Sequence, residues 1–322
     1  MHPWLIDLWR GVRADRGPAI SPVGDAPVQP DSTPLLAVVI PVRNAARTLP
    51  KTLESLNRVP PPARSGVEII LIDDGSTDES RTILEAFAAR RDFHVRVIAQ
   101  GHQGAGPARN AGLHVAHARW VIFLDSDDEL GADPAPHLAA ADAEGYSAVI
   151  FAGELRRNER SIGRFPPPQI SGATSLDALT ASCPFFVNMV AFRRERVRTP
   201  FGDRFPNHED WNFWLSNPQI FDRVKTVNEV VAIIHVHGAN KTRDTTRRGQ
   251  SRRGIAESHL HDPLTQLQRN NLTIQANIGG LLAGDPISSR AFLAFPCSAS
   301  LFAKLLIYRT LGRRLARFDV YA

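Results

Sequence analysis

Four short apolar runs dominate the first 130 residues of this chain: Leu35 to Ile40, Val67 to Ile72, Phe93 to Ile98 and Trp120 to Leu124. The first, Leu35 to Ile40, is apolar on both faces, and a helix-length segment separates each run from the next. Those segments carry apolar residues at helical spacing, as in Leu49, Leu53 and Leu56, or Ile83, Leu84 and Phe87. Runs apolar on both faces are strands covered on both sides, and strands alternating with single helices demand right-handed crossovers and a parallel sheet. The spacing predicts a helix from Ala45 to Asn57 with Asn44 as its N-cap. A second opens at the capping box Ser76-Thr77-Asp78-Glu79, and a third runs from Ala108 to about His117 after the Gly-rich turn 101–107.

Such sheets bind ligands at the carboxyl ends of their strands. Here those ends are acidic: Asp73-Asp74-Gly75 follows the second run, and Asp125-Ser126-Asp127-Asp128 follows the fourth. Three carboxylates within four residues repel one another, and burial raises that cost. A divalent cation removes the conflict, and hard oxygen ligands at a rigid strand end suit Mg2+ or Mn2+, which hold phosphate oxygens in turn. Alternate residues on an extended segment point the same way, so Asp125 and Asp127 can face one ligand. A calcium loop is disfavoured because no further ligands follow at EF-hand spacing. The turn Gly104-Ala105-Gly106-Pro107 offers backbone N–H groups to an anion at a helix start, but it is neither a Walker motif nor a full dinucleotide fingerprint.

The chain has 322 residues, 43% hydrophobic and 22% charged, enough apolar mass for a large core, and a formal charge of +5 that favours an anionic partner without naming it. Two cysteines, Cys183 and Cys297, exclude a disulfide-dense scaffold and a cysteine-based zinc site. Residues 1–10 make a poor signal peptide, and no apolar run nears the ~18 residues of a membrane-spanning helix. The expected location is cytoplasmic, extending to the inner face of the membrane.

Three parts are expected. Residues 1–33, rich in proline, form a loosely ordered lead-in. Residues 34–245 form the main domain, its nucleotide-binding part at 34–130 and its acceptor part at 131–245. Residues 246–322 form a helical extension. Within the acceptor part, a helix is expected from Asp133-Pro134 to about Gly145. Strands follow at Ala148 to Phe151, Phe185 to Phe192 and Val230 to Val236, with a short helix at Trp211 to Leu215. The last helix candidate, Leu301 to Phe318, carries Arg309, Arg313, Arg314 and Arg317, and either caps the core or lies on anionic lipid.

Five blocks, in order, resemble the family 2 glycosyltransferases with the GT-A fold: Val39-Ile40-Pro41-Val42-Arg43-Asn44, Leu71 to Asp78, Gly104 to Gly112, Phe123 to Asp128, and His208-Glu209-Asp210-Trp211. The resemblance covers roughly residues 35–240. It implies a Rossmann-like α/β fold, a mainly parallel central sheet flanked by helices, and an inverting, metal-assisted enzyme. The donor would be a nucleoside-diphosphate sugar, a UDP-sugar in preference, and the acceptor a hydroxyl of a cell-envelope, capsule or lipid-linked saccharide. No nucleic-acid partner is expected. The alternatives are a non-catalytic nucleotide-sugar-binding protein on a degenerate transferase fold, and a nucleotidyltransferase. The latter would want a Gly-rich basic loop after the first strand, where this chain has Pro41-Val42-Arg43-Asn44.

By the resemblance, Asp210 is the catalytic base, with Glu209 sharing the task or holding acceptor. Asp73 and Asp74 recognise the base, and Pro41, Arg43 and Asn44 line the base and ribose pocket. Asp127 holds the metal, Asp125 contacts ribose or metal, Ser126 between them contacts the nucleotide-sugar, and Asp128 could replace either carboxylate. Arg109 either reaches a nucleotide phosphate or pairs with the acidic rim. His237 is a candidate metal or phosphate contact and Lys241 a phosphate partner. Trp211 and Trp214 are candidates for an acceptor platform, since aromatic faces pack on sugar C–H surfaces.

Overall fold

The computed structural model describes residues 33–205, 207–236 and 244–283. Nine strands form one mixed sheet: β1 (Leu36–Val42), β2 (Val67–Asp74), β3 (His94–Gln100), β4 (Trp120–Phe123), β5 (Glu129–Leu130), β6 (Ala148–Arg157), β7 (Arg160–Phe165), β8 (Val190–Arg193) and β9 (Val224–His235). Their order is β3-β2-β1-β4-β8-β6-β9-β5, with β7 paired to β6. The first four pair in parallel, as the alternation of runs and helices requires, and β8 then enters antiparallel between β4 and β6. The helices are α1 (Leu49–Ser55), α2 (Ser80–Ala89), α3 (Ala105–Val115), α4 (Ala135–Ala143), α5 (Ala173–Ala181), α6 (Glu209–Ser216), α7 (Thr245–His259) and α8 (Gln266–Ala283).

The period of two along β1 explains the layering. Leu36, Val38 and Ile40 face a core with Leu49 and Leu53 of α1, Leu84 and Phe87 of α2 and Leu138 of α4. Ala37 and Val39 face the other core with Ala108 and Leu113 of α3, Leu179 of α5 and Trp211, Phe213 and Trp214 of α6. Ile255, Ala256 and Leu272 of α7 and α8 join this second core, so the described part of the helical segment expected from residue 246 packs as part of the body.

Register decides what meets at the rim. Val42 lies beside Asp73, Asp74 beside Gln100, and Val39 beside Phe123, so the ends of β1, β2 and β4 are level. The chain before β8 reaches the same edge because β8 runs against β4. β5 pairs with the end of β9, which brings His235 to Asp128.

Three local expectations are corrected. Asn44 does not cap α1, which begins at Leu49. It has φ +48°, and its Oδ1 accepts from the N–H of Thr77 at 2.8 Å. Ser76 to Glu79 is not a capping box, since α2 starts at Ser80 with no side-chain cap. The Ser76 and Ser80 hydroxyls and the Asp78 carboxylate accept from the backbone N–H groups of Asn44, Ala45 and Ala46. These polar residues join two loops across the sheet end instead of closing their own helices. The strand expected over Phe185 to Phe192 is confined to Val190–Arg193, the segment before it containing a 3-10 turn at Val187–Met189. The helix expected at Leu301 to Phe318 lies outside the described residues.

Gly112 of α3 lies against β1. A Cβ there would stand 2.3 Å from Cγ1 of Val39, a fully buried and stiff side chain. Gly112→Ala should therefore cost about 1–3 kcal/mol by overpacking. The check is thermal unfolding, with a midpoint lowered by ~2–4 °C per kcal/mol for a domain of this size.

Candidate active site

The level strand ends open into a cleft of about 880 Å³. Its walls include Pro41, Arg43, Asn44, Asp74, Arg109, Asp125, Ser126, Asp127, Glu209, Asp210 and Trp211. Thus segments centred near residues 42, 74, 126 and 209 converge on one space, and Asp128 borders it too. Asp73 and Trp214 do not line it, and His237 and Lys241 lie outside the described residues.

The Asp73-Asp74 pair is engaged by the protein itself. Asp73 Oδ1 accepts from the N–H of Ser76 at 3.0 Å, closing the turn in which Gly75 has φ +71°. Asp74, 3% exposed, accepts four hydrogen bonds: from Gln100 Nε2, the N–H groups of Gln103 and Gly104, and His102 Nδ1, at 2.8–2.9 Å. A carboxylate so fully donated to organises the Gly-rich turn ahead of α3. Arg43 Nη1 donates to His102 Nε2 at 2.7 Å, which fixes His102 as the Nδ1–H tautomer that donates to Asp74. Arg43, His102 and Asp74 form a continuous chain along the cleft wall.

Arg109, left open between phosphate and acidic rim, pairs with the rim. It is 3% exposed; its Nη2 donates to Asp125 Oδ1 at 2.7 Å and its Nη1 to Glu209 Oε1 at 3.2 Å. Its Cζ lies 5.8 Å and 5.5 Å from the ring centroids of Phe123 and Phe201. Burial alone would lower its pKa, but the carboxylates of Asp125 and Glu209 raise it, so the charge is secure. Its Nε has no partner.

Asp210 stands in the first turn of α6. Burial, then the negative charge of Glu209, pushes its carboxyl up to about 6, with Arg109 and the Trp211 N–H opposing. His208, at φ +60° just before α6, is pushed down to about 3 by burial and by the charges of Arg252 and Arg248, so it is neutral near pH 7. Asp128 is raised by burial and by Asp127 and Asp125, while the His235 N–H and Asn188 Nδ2 hold its two oxygens at 2.8 Å.

The platform expected of Trp211 and Trp214 is corrected. Trp214 is wholly buried, edge-on to Phe185, Phe192 and Phe213, and Trp211 is 2% exposed with its Nε1 donated to the Leu179 carbonyl at 2.7 Å. Neither offers a face to a sugar. Wall residues that the sequence patterns do not single out include Arg47, His102, the segment Ser182 to Asn188, and Arg248 and Arg252 of α7. The two arginines carry only a faint signal, an i,i+4 basic pair.

Asp125 and Asp127 supply hard oxygens at the strand end. Among the described residues no three His, Cys, Asp or Glu groups form a closed cage. Mg2+ and Mn2+ are characteristically held by one or two carboxylates plus substrate phosphates, so the donor set fits such an ion.

The model of the family described as glycosyl transferase family 2 matches residues 37–212, and the chain belongs to that family. An uncharacterized glycosyltransferase of a Nostoc strain is 28% identical over 64% of this chain, which spans 66% of that protein. A PGL/p-HBAD biosynthesis glycosyltransferase of Mycobacterium bovis is 29% identical over 60% of this chain and 74% of its own. Among solved structures, S. aureus TarS 1-349 in complex with UDP-GlcNAc has a TM-score of 0.60 at 18% identity, covering 77% of this chain and 73% of that one. The mannosyltransferase PcManGT of Pyrobaculum calidifontis, in complex with GDP-Man and Mn2+, has a TM-score of 0.59 at 18% identity, covering 98% and 90%. These likenesses show the GT-A fold. Among the described residues no helix is long and apolar enough to cross a membrane.

Arg109→Met should cost about 3–5 kcal/mol, because it leaves two partly buried carboxylates facing each other without a cation. Arg109→Lys should recover only part of this, one ammonium being unable to span both partners. Urea unfolding of the two variants is the measurement, and a wild-type midpoint for Arg109→Met would exclude the bridge as a stabilising contact.

Proposed function

We propose that this chain transfers a sugar, with inversion, from a nucleoside-diphosphate donor to a hydroxyl acceptor, with Asp210 as the base. The observation that carries this reading is that Asp125, Asp127 and Asp210 share one cleft, in which Arg109 bridges Asp125 to Glu209 beside Asp210. The UDP-GlcNAc and GDP-Man held by the TarS and PcManGT neighbours support a sugar-nucleotide donor, for which a UDP-sugar is favoured. The acceptor class is a cell-envelope, capsule or lipid-linked saccharide, in keeping with the PGL/p-HBAD biosynthesis for which the mycobacterial relative is named.

Pro41, Arg43 and the His102–Asp74 pair wall the end of the cleft assigned to base and ribose, and Ser126 lies beside the acidic cluster. Asp127, with Asp125, would hold Mg2+ or Mn2+. Such an ion, when bound, neutralises the charge that builds on the departing diphosphate. Arg109 fixes Asp125 and Glu209 in position. Asp210 takes the acceptor hydroxyl's proton as that oxygen bonds to the anomeric carbon and the bond from that carbon to the diphosphate oxygen breaks. A carboxylate with a pKa near 6 is well matched to this, being mostly ionised at neutral pH yet more basic than an exposed aspartate.

Asp210→Asn should lower kcat by roughly 10²–10⁴-fold while UDP binding with Mn2+ persists, since it removes only proton transfer. Calorimetry and turnover together check this, and full activity in the variant would dismiss Asp210 as the base. The sign of the pH dependence follows from the same group. The base acts only when ionised, so kcat/KM of the wild type should fall as pH drops through about 6 and level off above it.

A further inference from the structure

Two residues of the cleft wall carry a buried polar atom that has no hydrogen-bond partner among the described residues: Arg109 at Nε and Asn188 at Oδ1. The third such atom, Trp214 Nε1, belongs to a residue that does not border the cleft. A buried acceptor left without a donor is costly, and beside a cleft a ligand can supply that donor. Asn188 is 2% exposed, and its other amide atom is already used: Nδ2 donates to Asp128 Oδ2 at 2.8 Å. That contact orients the amide, because turning it over would set Oδ1 against a carboxylate oxygen.

The backbone around Asn188 holds the amide in place. Val187–Met189 is a single 3-10 turn, in which the Met189 N–H donates to the Phe186 carbonyl at 3.0 Å. The Val187 and Met189 side chains on either side are buried. Met189 packs so closely on β6 that a Cβ on Gly153 would stand 2.9 Å from its Sδ. β8 follows at once and runs against β4, so the turn comes to the tip of β4. Asn188 is thereby fixed against Asp128, the residue that follows the carboxylate assigned to the cation.

We infer that Asn188 binds a hydroxyl of the sugar being transferred, through Oδ1. The inference rests on the sugar-transfer reading and deepens it by naming a residue that selects the donor sugar. Contacts on the page argue for the donor rather than the acceptor. Asn188 is joined to Asp128, and Asp128 follows Asp127, one of the two acids assigned to the cation that carries the diphosphate. The transferred sugar is bonded to that diphosphate, so it comes nearer to the amide than the acceptor does. A hydroxyl is also the right chemistry. Sugar hydroxyls donate, as Oδ1 requires, and accept, as the unpartnered Nε of Arg109 requires. A protonated Asp128 would reverse the amide and leave Nδ2 over instead, and a hydroxyl satisfies that atom as well. A diphosphate oxygen only accepts and would not complete Oδ1.

The test is calorimetry of the full chain with Mn2+, titrated with UDP, GDP, UDP-glucose, UDP-galactose, UDP-N-acetylglucosamine and GDP-mannose as probes. Wild type should bind a nucleotide and one or more of its sugar derivatives. Asn188→Leu, similar in size and without polar side-chain atoms, should weaken the sugar nucleotide about two- to tenfold, the worth of one hydrogen bond, and leave the bare nucleotide within about twofold. Asn188→Thr, whose hydroxyl can still donate to Asp128 while a methyl group replaces the amide oxygen, should do the same and serves if Asn188→Leu does not fold. Thermal unfolding without ligand shows which variants fold. A residue that only shapes the cation site would weaken nucleotide and sugar nucleotide equally. Equal weakening, unchanged binding of the sugar nucleotide, or a wild type that binds nucleotide but none of the sugar nucleotides overturns the inference and leaves the nucleotide site standing. Binding of neither UDP nor GDP sinks the transferase reading, and this inference with it.

Discussion

One buried guanidinium holds the cleft together. Arg109 leaves the first turns of α3, lies against the rings of Phe123 and Phe201, and ends between Asp125 at the tip of β4 and Glu209 at the start of α6. Those carboxylates are far apart in sequence, and each belongs to a different layer. Taking such charges out of water is costly, and the arrangement survives because each carboxylate meets the cation at hydrogen-bond distance. The contact also removes the repulsion that would drive the acidic β4 tip from the acidic start of α6. A cleft with carboxylates on two walls can therefore exist before any ligand enters it.

The same contact sorts the acids by task. Asp125 and Glu209 share the cation, and Asp210 remains deep enough, and near enough to Glu209, to be raised to about 6. Asp128 is held on both oxygens by Asn188 and the His235 backbone, so the outward members of the cluster are Asp125 and Asp127. Differences in environment set chemically identical side chains apart: Asp128 is held on both oxygens, Asp125 meets the Arg109 cation, and Asp210 is raised by burial.

Much of this was legible in the sequence because it depends on periodicity. Apolar runs such as Val67 to Ile72 can only be covered strands, and once they pair in parallel their acidic ends fall on one rim. What was not legible depends on partners distant in sequence. Asn44 and Ser76 have the chemistry of helix caps, but they meet each other across two strand ends, and the cross-loop bonds replaced the local ones. Asp74 borders the cleft, and its four donors, Gln100 at the end of β3 and His102, Gln103 and Gly104 in the turn after it, could not be read from local sequence. Trp214 could have been platform or core, and only the packing of Phe185, Phe192 and Phe213 around it decides for core.

α7 is the hardest case, and the reason is physical. Its segment Thr245 to His259 has four arginines and little apolar surface, so no hydrophobic stripe announces a packed helix. It packs through backbone instead. Gly249 and Gly279 remove the side chains that would hold α7 and α8 apart, while Ile255 and Ala256 reach the core from the far end of the helix. A helix seated by its glycines can spend its long side chains elsewhere, and two of them, Arg248 and Arg252, reach the cleft.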